Sequence, residues 1–162
     1  MYRETAVEVG RQLGRRGAGL VYGGGNVGLM GALADAALEA GGEAIGVIPR
    51  ALVEKEIAHR GLSELCVVES MHERKALMAE LADAFLALPG GIGTFEELCE
   101  ALAWSKLGIH GKACGLLNVE GYYDPLLAMM DRAVSEGFLA PEDRALLIAD
   151  TDVARLIERL LG

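Results

Sequence analysis

The sequence lacks the cysteine and histidine patterns that form disulfide frameworks or hold metals. Its three cysteines, Cys66, Cys99 and Cys114, are widely spaced and odd in number, and neither CxxC nor HExxH occurs. Small secreted domains need paired thiols, and zinc sites need closely grouped ligands. We therefore expect a cytoplasmic protein whose cysteines are small core residues, without a metal site.

Positive charge and long apolar runs are also scarce. The chain carries 15 Lys and Arg against 24 Asp and Glu, a formal net charge of −9. Nucleic acids and anionic membranes bind extended basic surfaces, so we expect neither as a partner. No segment reaches the roughly 18 uninterrupted apolar residues of a membrane span, and the first residues lack the apolar core of a signal peptide. These arguments do not apply to a small anion, which remains a candidate ligand.

Short apolar runs and glycine-bounded helical segments alternate along the chain. Continuous apolar strands separated by helices are typical of a parallel sheet covered on both faces. We predict one α/β domain over residues 1–162, with ligands beyond the carboxyl ends of its strands. The predicted strands are 19–22, 43–48, 65–68, 83–88, 113–118 and 146–149. The predicted helices are 4–16, 27–40, 70–81, one opened by Thr94, 124–137 and one from about 152. Residues 50–62 are expected to be irregular.

The stretch DAFLALPGGIGTFEE, residues 83–97, joins a predicted strand to a predicted helix through a glycine-rich turn. Gly90, Gly91 and Gly93 can adopt backbone angles closed to other residues, so successive N–H groups can cradle an anion. Thr94 can cap the helix, whose N-terminal dipole favours the same charge. Glu97 has two interpretations, as an acid of the site or as the partner of Thr94 in a capping box.

The first glycine turn of the chain, Gly23-Gly24-Gly25-Asn26-Val27-Gly28, follows the first predicted strand and fits G-x-G-x-x-G. A dinucleotide site would also need an acid at the end of the next strand. Glu43 begins that strand instead, although Arg50 beyond it could meet a 2′-phosphate. An NADP site and tight turn packing both remain open.

Arg74 is a cation in a position that helix energetics disfavours. It follows a second capping box, Ser70-x-x-Glu73, so it lies in a first turn, where cations oppose the dipole. It also shares a stripe with Leu77 and Met78, which turns it toward the sheet. An inward arginine needs an anion, either Glu97, a bound phosphate or a structural carboxylate.

The chain resembles the Lonely Guy family, cytokinin riboside 5′-monophosphate phosphoribohydrolases that are often misannotated as lysine decarboxylases. The resemblance covers nearly the whole chain. It rests on PGGIGTFEE at 89–97, SMHERKALMAELADAF at 70–85, VYGGGNVGLMGALADAAL at 21–38, GVIPRAL at 46–52 with Glu56 and His59 following, and LLNVEGYYDPLL at 116–127.

The resemblance implies a Rossmann-like, doubly wound fold, a homodimer or larger assembly of dimers, and no cofactor. It implies hydrolysis of the N-glycosidic bond of a purine nucleoside 5′-monophosphate, with adenine or an N6-substituted adenine as the base. Arg74 and Glu97 match the family's catalytic pair. The implied substrate- and phosphate-binding residues are Gly90, Gly91, Gly93, Thr94, Met71, Lys75, Gly24 and Gly25.

One departure from the family concerns the start of the chain. Met1 and Tyr2 stand about where the family's first strand and its Gly/Ser-rich turn end. We therefore expect the sheet to lack that strand and part of the phosphate site. A nucleotide-binding or carrier module that does not hydrolyse its ligand is the alternative function.

Overall fold

The structure is a computed structural model that describes residues 1–162. The chain divides into two compact units, Met1–Ala82 and Asp83–Gly162. Every strand ladder is parallel, as predicted, but the strands form two three-stranded sheets, one in each unit, instead of one sheet. No helix is both long and apolar enough to cross a membrane.

The first unit carries a sheet in the order β1-β2-β3. Its elements are α1 (Tyr2–Arg15), β1 (Leu20–Tyr22), α2 (Gly28–Glu39), β2 (Ala44–Pro49), β3 (Glu64–Val68) and α3 (Met71–Leu81). β2 is the central strand, and four of its six residues in succession, 46–49, are buried. Burial of successive residues is what a parallel strand covered on both faces requires.

The helices α1 and α2 approach each other closely because glycine faces the contact. A Cβ on Gly10 would lie 2.3 Å from the carbonyl oxygen of Leu33, and one on Gly14 would lie 2.7 Å from that of Ala37. Backbone at this distance leaves no room for a side chain. The two helices therefore bury an alanine-rich face that supports the start of the first sheet.

The second unit carries a sheet in the order β4-β5-β6. Its elements are β4 (Ala84–Ala87), α4 (Ile92–Lys106), β5 (Ala113–Leu117), α5 (Asp124–Ser135), the short α6 (Pro141–Arg144), β6 (Leu147–Asp150) and α7 (Val153–Leu161). Its core packs α4 and α5 against the strands through Ala87, Leu98, Leu116, Tyr123 and Leu147.

Most predicted elements are confirmed within one or two residues at each end. The short helix α6 was not predicted, and Tyr123 takes the N-cap position of α5. The cysteine prediction is wrong in part, since Cys114 is buried whereas Cys99 is exposed on α4.

Asp150 ends β6 and is held there by charge. Its carboxylate accepts hydrogen bonds from Arg155 Nε and from the backbone N–H of Asp152, at 2.7 and 2.9 Å. These donors, Arg155 first, hold the pKa of Asp150 well below its ordinary value. The carboxyl end of β6 is thereby fixed at the start of α7.

Candidate active site

Arg74 lies with its guanidinium among the carboxyl ends of the first two strands. Its Nε donates to the carbonyl oxygen of Val47 in β2 at 2.9 Å, and its Nη2 to that of Gly23, just after β1, at 2.6 Å. The side chain is only 9% exposed. The prediction of an inward arginine is confirmed, and Arg74 is the only fully buried residue of α3.

The carboxylate that meets Arg74 is that of Glu56. Nη2 lies 2.7 Å from Oε2 and Nη1 lies 3.3 Å from Oε1, so the contact is bidentate. Two parallel charge-assisted bonds fix the plane of both groups. The structural carboxylate considered for Arg74 is therefore present within the first unit. Met71, a predicted pocket residue, places Sδ 3.8 Å from Nη1.

Glu56 reaches Arg74 because residues 53–59, here called the strap, run back over the glycine turn that follows β1. The backbone N–H of Asn26 donates to the carbonyl oxygen of Ile57, and the N–H of His59 donates to that of Gly24, both at 2.8 Å. The prediction that 50–62 is irregular is wrong for Arg50–Leu52, which form one turn of 3-10 helix, and is confirmed for 53–62 apart from an isolated bridge at Ala58. The hydrogen bonds of the strap nevertheless give it a fixed place.

The end of the strap is anchored on α2 by His59. This side chain is buried, and its Nε2 lies 2.6 Å from Asp35 Oδ1. Because Nδ1 accepts the backbone N–H of Gly61 at 2.9 Å, Nε2 carries the hydrogen that bonds Asp35. The histidine therefore serves as a link between two elements.

Gly24 and Gly25 occupy the turn beneath the strap. Gly24 has φ +80°, a conformation that other residues rarely adopt. Gly25 pairs with Ala58 in an antiparallel bridge, and its carbonyl oxygen accepts the hydroxyl of Tyr22 at 2.8 Å. Burial, followed by the charge of Asp35, raises the pKa of that hydroxyl well above its ordinary value, so it remains a donor.

These contacts favour the packing interpretation of the first glycine turn over a dinucleotide site. A Cβ on Gly23 would lie 2.3 Å from Arg74 Nη2, so glycine is required there by the arginine. The N–H of Asn26, which a bound pyrophosphate would need, is already donated to the strap. Arg50, the residue that could have met a 2′-phosphate, pairs with Glu69 at 3.0 Å.

Ile57 is strained at the middle of the strap. Its φ of 48° lies in the left-handed region, where a β-branched side chain meets its own backbone. Such strain costs about 1–3 kcal/mol and persists only where surrounding contacts enforce it. The hydrogen bonds and ion pair of the strap supply that enforcement.

Ile57→Gly is expected to raise the free energy of unfolding by about 1 kcal/mol, because relief of the strain exceeds the added flexibility of the unfolded chain. Urea unfolding followed by circular dichroism measures the change. The matched control is Ile109→Gly, since Ile109 is similarly exposed but has no positive φ, and it should lose about 0.5–1 kcal/mol. Equal losses in both variants would show that the strap is unstrained.

The first turn of α3 is capped nearly as predicted. Ser70 is the N-cap, and its side chain accepts the backbone N–H of Glu73 at 3.1 Å. Glu73 reaches back to the N–H of Glu69 at 2.7 Å instead of completing the box at Ser70. Lys75, a predicted pocket residue, is half-buried in the same turn.

The second glycine turn opens α4 earlier than predicted. The helix begins at Ile92 with Gly91 as its N-cap, so Thr94 is already inside the first turn. The predicted cap at Thr94 is wrong, and so is the Thr94-x-x-Glu97 capping box, because Glu97 lies in the second turn. The physical reason is that glycine caps a helix about as well as threonine, and the chain leaves β4 already turning.

Gly90, Gly91 and Gly93 do not use the left-handed angles that were expected of them, since none has a positive φ. Gly90 is required by a close approach, because a Cβ there would lie 2.3 Å from Thr94 Oγ1. At Gly91 and Gly93 a Cβ would meet nothing within 4 Å. These two residues instead leave space beside the first-turn N–H groups of α4, which have no acceptor within the helix.

Two tyrosines that the sequence did not single out hold this turn. Tyr123 is buried and donates its hydroxyl to the carbonyl oxygen of Leu88, and Tyr122 donates to that of Gly90, both at 2.5 Å. Burial, then the neighbouring Tyr122, raises the pKa of Tyr123 to about 12, so its hydroxyl stays protonated. Both tyrosines lie in LLNVEGYYDPLL, one of the segments that carry the resemblance.

Glu97 is exposed on α4 in the turn after the glycines. It lies four residues after Gly93, so the two share one face of the helix. The axial distance between them is about 6 Å at 1.5 Å per residue. An anion bound at the first turn would therefore lie on the same face of α4 as the Glu97 carboxylate, one turn away.

The predicted site residues gather in two groups. Gly24, Gly25, Met71 and Arg74 lie together in the first unit, and Gly90, Gly91, Gly93, Thr94 and Glu97 lie together in the second. Glu56 joins the first group. The sequence named it only among the residues that carry the resemblance, and the need of Arg74 for an anion was the signal that could have assigned it to the site. No group of three His, Cys, Asp or Glu side chains is placed to hold a metal.

Comparison with known proteins identifies the family. The family model described as "Possible lysine decarboxylase" matches residues 30–160. A probable cytokinin riboside 5′-monophosphate phosphoribohydrolase of Oryza sativa subsp. japonica is 53% identical over 98% of this chain and 70% of its own length. The cytokinin riboside 5′-monophosphate phosphoribohydrolase of Rhodococcoides fascians is 54% identical over 94% of this chain and 77% of its own. The chain belongs to the Lonely Guy family.

The fold of this Lonely Guy member recurs in more distant structures. The molybdenum cofactor carrier protein of Chlamydomonas reinhardtii superposes with a TM-score of 0.72 at 24% identity, covering 99% of this chain and 88% of that one. The molybdenum cofactor binding protein of Rippkaea orientalis gives the same TM-score at 21% identity, covering 99% and 88%. At these identities the likeness concerns the Rossmann-like fold alone.

Proposed function

We propose that the chain hydrolyses the N-glycosidic bond of a purine nucleoside 5′-monophosphate, with adenine or an N6-substituted adenine as the base. Water adds its oxygen to the anomeric carbon of the ribose, the carbon–nitrogen bond breaks, and a proton passes to the departing base. The products are the free base and ribose 5-phosphate. About 50% identity over nearly the whole chain to proteins named for this reaction carries the proposal.

Glu97 is the proposed catalytic carboxylate. Breaking the glycosidic bond builds positive charge on the ribose, and a fixed carboxylate stabilises that charge. The same group orients or deprotonates the attacking water. The position of Glu97 supports this role, because it lies about 6 Å along α4 from Gly93, one turn beyond the first-turn N–H groups proposed to bind the phosphate.

The phosphate is proposed to bind at the turn formed by Gly90, Gly91, Gly93 and Thr94. A helix N-terminus offers unpaired N–H groups and a positive dipole end, and glycine lets the ligand approach the backbone. The missing side chains at Gly91 and Gly93 support this assignment.

Arg74 is proposed as the second catalytic residue, since it matches the family's catalytic pair. Met71, Lys75, Gly24 and Gly25 are proposed to line the substrate site around it. The contacts of Arg74 with Gly23 and Met71 support the grouping of these residues. A lysine decarboxylase is not proposed, because the sequence marks no Schiff-base lysine with a pyridoxal phosphate shell.

The active form is proposed to be a cytoplasmic homodimer or a larger assembly of dimers. The basis is the resemblance to the family, together with cysteines that lack the spacing of a disulfide framework. Sedimentation of the purified protein measures the assembly directly.

The deciding experiment is a base-release assay on AMP and its N6-isopentenyl analogue in parallel, with products separated by chromatography. We expect free base and ribose 5-phosphate in equal amounts from at least one substrate. Tight binding of both nucleotides by calorimetry without release of base would overturn hydrolysis and favour the carrier alternative. A large difference in kcat/KM between the substrates identifies the preferred base.

A further inference from the structure

Every N–H group of the Arg74 guanidinium already donates to an acceptor. The guanidinium carries five N–H groups. Nε donates to Val47 O, the two hydrogens of Nη2 to Gly23 O and Glu56 Oε2, and those of Nη1 to Glu56 Oε1 and Met71 Sδ. A phosphate oxygen that bound Arg74 directly would have to displace one of these acceptors. The arginine is therefore held on all sides before any substrate arrives.

Glu56 differs from the other acceptors of Arg74 because it alone carries charge, and it belongs to the strap, which has no regular structure. Its side chain is 36% exposed, whereas that of Arg74 is 9% exposed. The carbonyl oxygen of Val47 belongs to β2 and that of Gly23 directly follows β1, so both are held by the sheet. Glu56 is thus the acceptor whose position can change, and its ion pair couples the position of the guanidinium to that of the strap.

We propose that Glu56 is a positioning residue, whose carboxylate fixes the guanidinium of Arg74 and latches the strap over the glycine turn after β1. This inference rests on the proposed function in one respect, that Arg74 serves the reaction. The latch itself does not depend on activity. The strained backbone of Ile57, next to Glu56 in the chain, fits a segment that is pulled into place by its contacts.

Two variants test the positioning role. Glu56→Gln keeps the shape but replaces one oxygen by an NH₂ group that faces a donor of Arg74. Glu54→Gln makes the same charge change two residues earlier, on an exposed side chain. We expect Glu56→Gln to lower kcat for base release at least about tenfold with KM changed less than about threefold, and Glu54→Gln to stay within about twofold of wild type.

A double variant separates action through Arg74 from an independent effect. If Glu56 acts by holding Arg74, adding Glu56→Gln to Arg74→Met lowers kcat/KM no further than Arg74→Met alone. Multiplication of the two single losses would overturn the positioning role. Where Arg74→Met leaves too little activity to measure, the free energy of unfolding from urea titration replaces kcat/KM in the same cycle.

Trypsin tests the latch without any need for activity. Arg60 is exposed immediately after the buried His59, so cleavage after Arg60 requires the end of the strap to leave its place. Cleavage after Lys55 is not scored, because Glu56 is the residue that follows that bond. We expect Glu56→Gln to be cut after Arg60 at least about tenfold faster than wild type or Glu54→Gln under native conditions. Equal rates, with unchanged circular dichroism, would overturn the latch even if the protein released no base.

Discussion

Glu97→Gln is expected to lower the rate of base release by about 10²–10⁴-fold and to leave the fold unchanged. Glutamine keeps the length and polarity of the side chain but carries no negative charge. It can neither stabilise an oxocarbenium-like ribose nor accept a proton from water. Because Glu97 is exposed, the free energy of unfolding should change by no more than about 0.5 kcal/mol. Single-turnover assays on AMP and urea unfolding measure the two effects.

The matched control is Glu96→Gln on the same helix. Adjacent residues of an α-helix point about 100° apart, so this variant makes the same charge change on a different face. Its rate should remain within about threefold of wild type. If Glu97→Gln released base at more than a tenth of the wild-type rate, the carboxylate would not be the catalytic group. An equal loss in both variants would indicate a general effect of charge on substrate binding.

Local sequence was sufficient for most of the fold. Continuous apolar runs bounded by glycine or proline predicted all six strands, because a buried parallel strand needs no alternation and a short run cannot make a helix. The start of α4 was misplaced, since Thr94 is a good cap and Gly91 an equally acceptable one. The division into two sheets was missed for another reason. Strand pairing is a long-range choice that no single segment encodes.

The candidate site was predicted only in part, because some of its contacts join residues that are distant in sequence. The helical periodicity of the sequence was enough to predict that Arg74 points inward. The cost of burying its charge was enough to predict an anionic partner. The identity of that anion depended on residues 53–59 folding back across the first glycine turn, through backbone hydrogen bonds to Gly24 and Asn26. Such contacts leave no periodic pattern in the sequence. The sequence named Glu56 only as part of the resemblance, and the structure shows that it is the partner of Arg74.

Arg74→Met is expected to cost about 3 kcal/mol of unfolding free energy as well as most of the activity. The variant keeps an apolar stem but removes the hydrogen bonds to Val47 O and Gly23 O and the ion pair with Glu56. Hydrogen bonds to charged groups contribute about 1.5–3 kcal/mol, and breaking a buried pair costs about 3–5 kcal/mol. The lower part of that range applies because Glu56 can regain water. Urea unfolding gives the loss of stability.

Arg50→Met is the matched control within the same unit. Arg50 also meets a carboxylate, that of Glu69 at 3.0 Å, but both side chains are about two thirds exposed. Exposed pairs contribute about 0–1 kcal/mol, so this variant should unfold within about 1 kcal/mol of wild type. Similar small losses in both variants would mean that the contacts of Arg74 do not stabilise the first unit.

The activity of Arg74→Met then separates an anchor from a catalyst. At a temperature where Arg74→Met and Arg50→Met are both fully folded, a loss of stability by itself leaves kcat unchanged, because all of the enzyme in the assay is native. A fall in kcat of at least about tenfold in the folded variant corresponds to about 1.4 kcal/mol of lost transition-state stabilisation, and it measures the contribution of Arg74 to catalysis. We expect that fall, because Arg74 matches the family's catalytic pair and its guanidinium is fixed by Glu56. An unchanged kcat in a destabilised but folded variant would make Arg74 a structural residue, and Glu97 would then be the only catalytic side chain among those proposed.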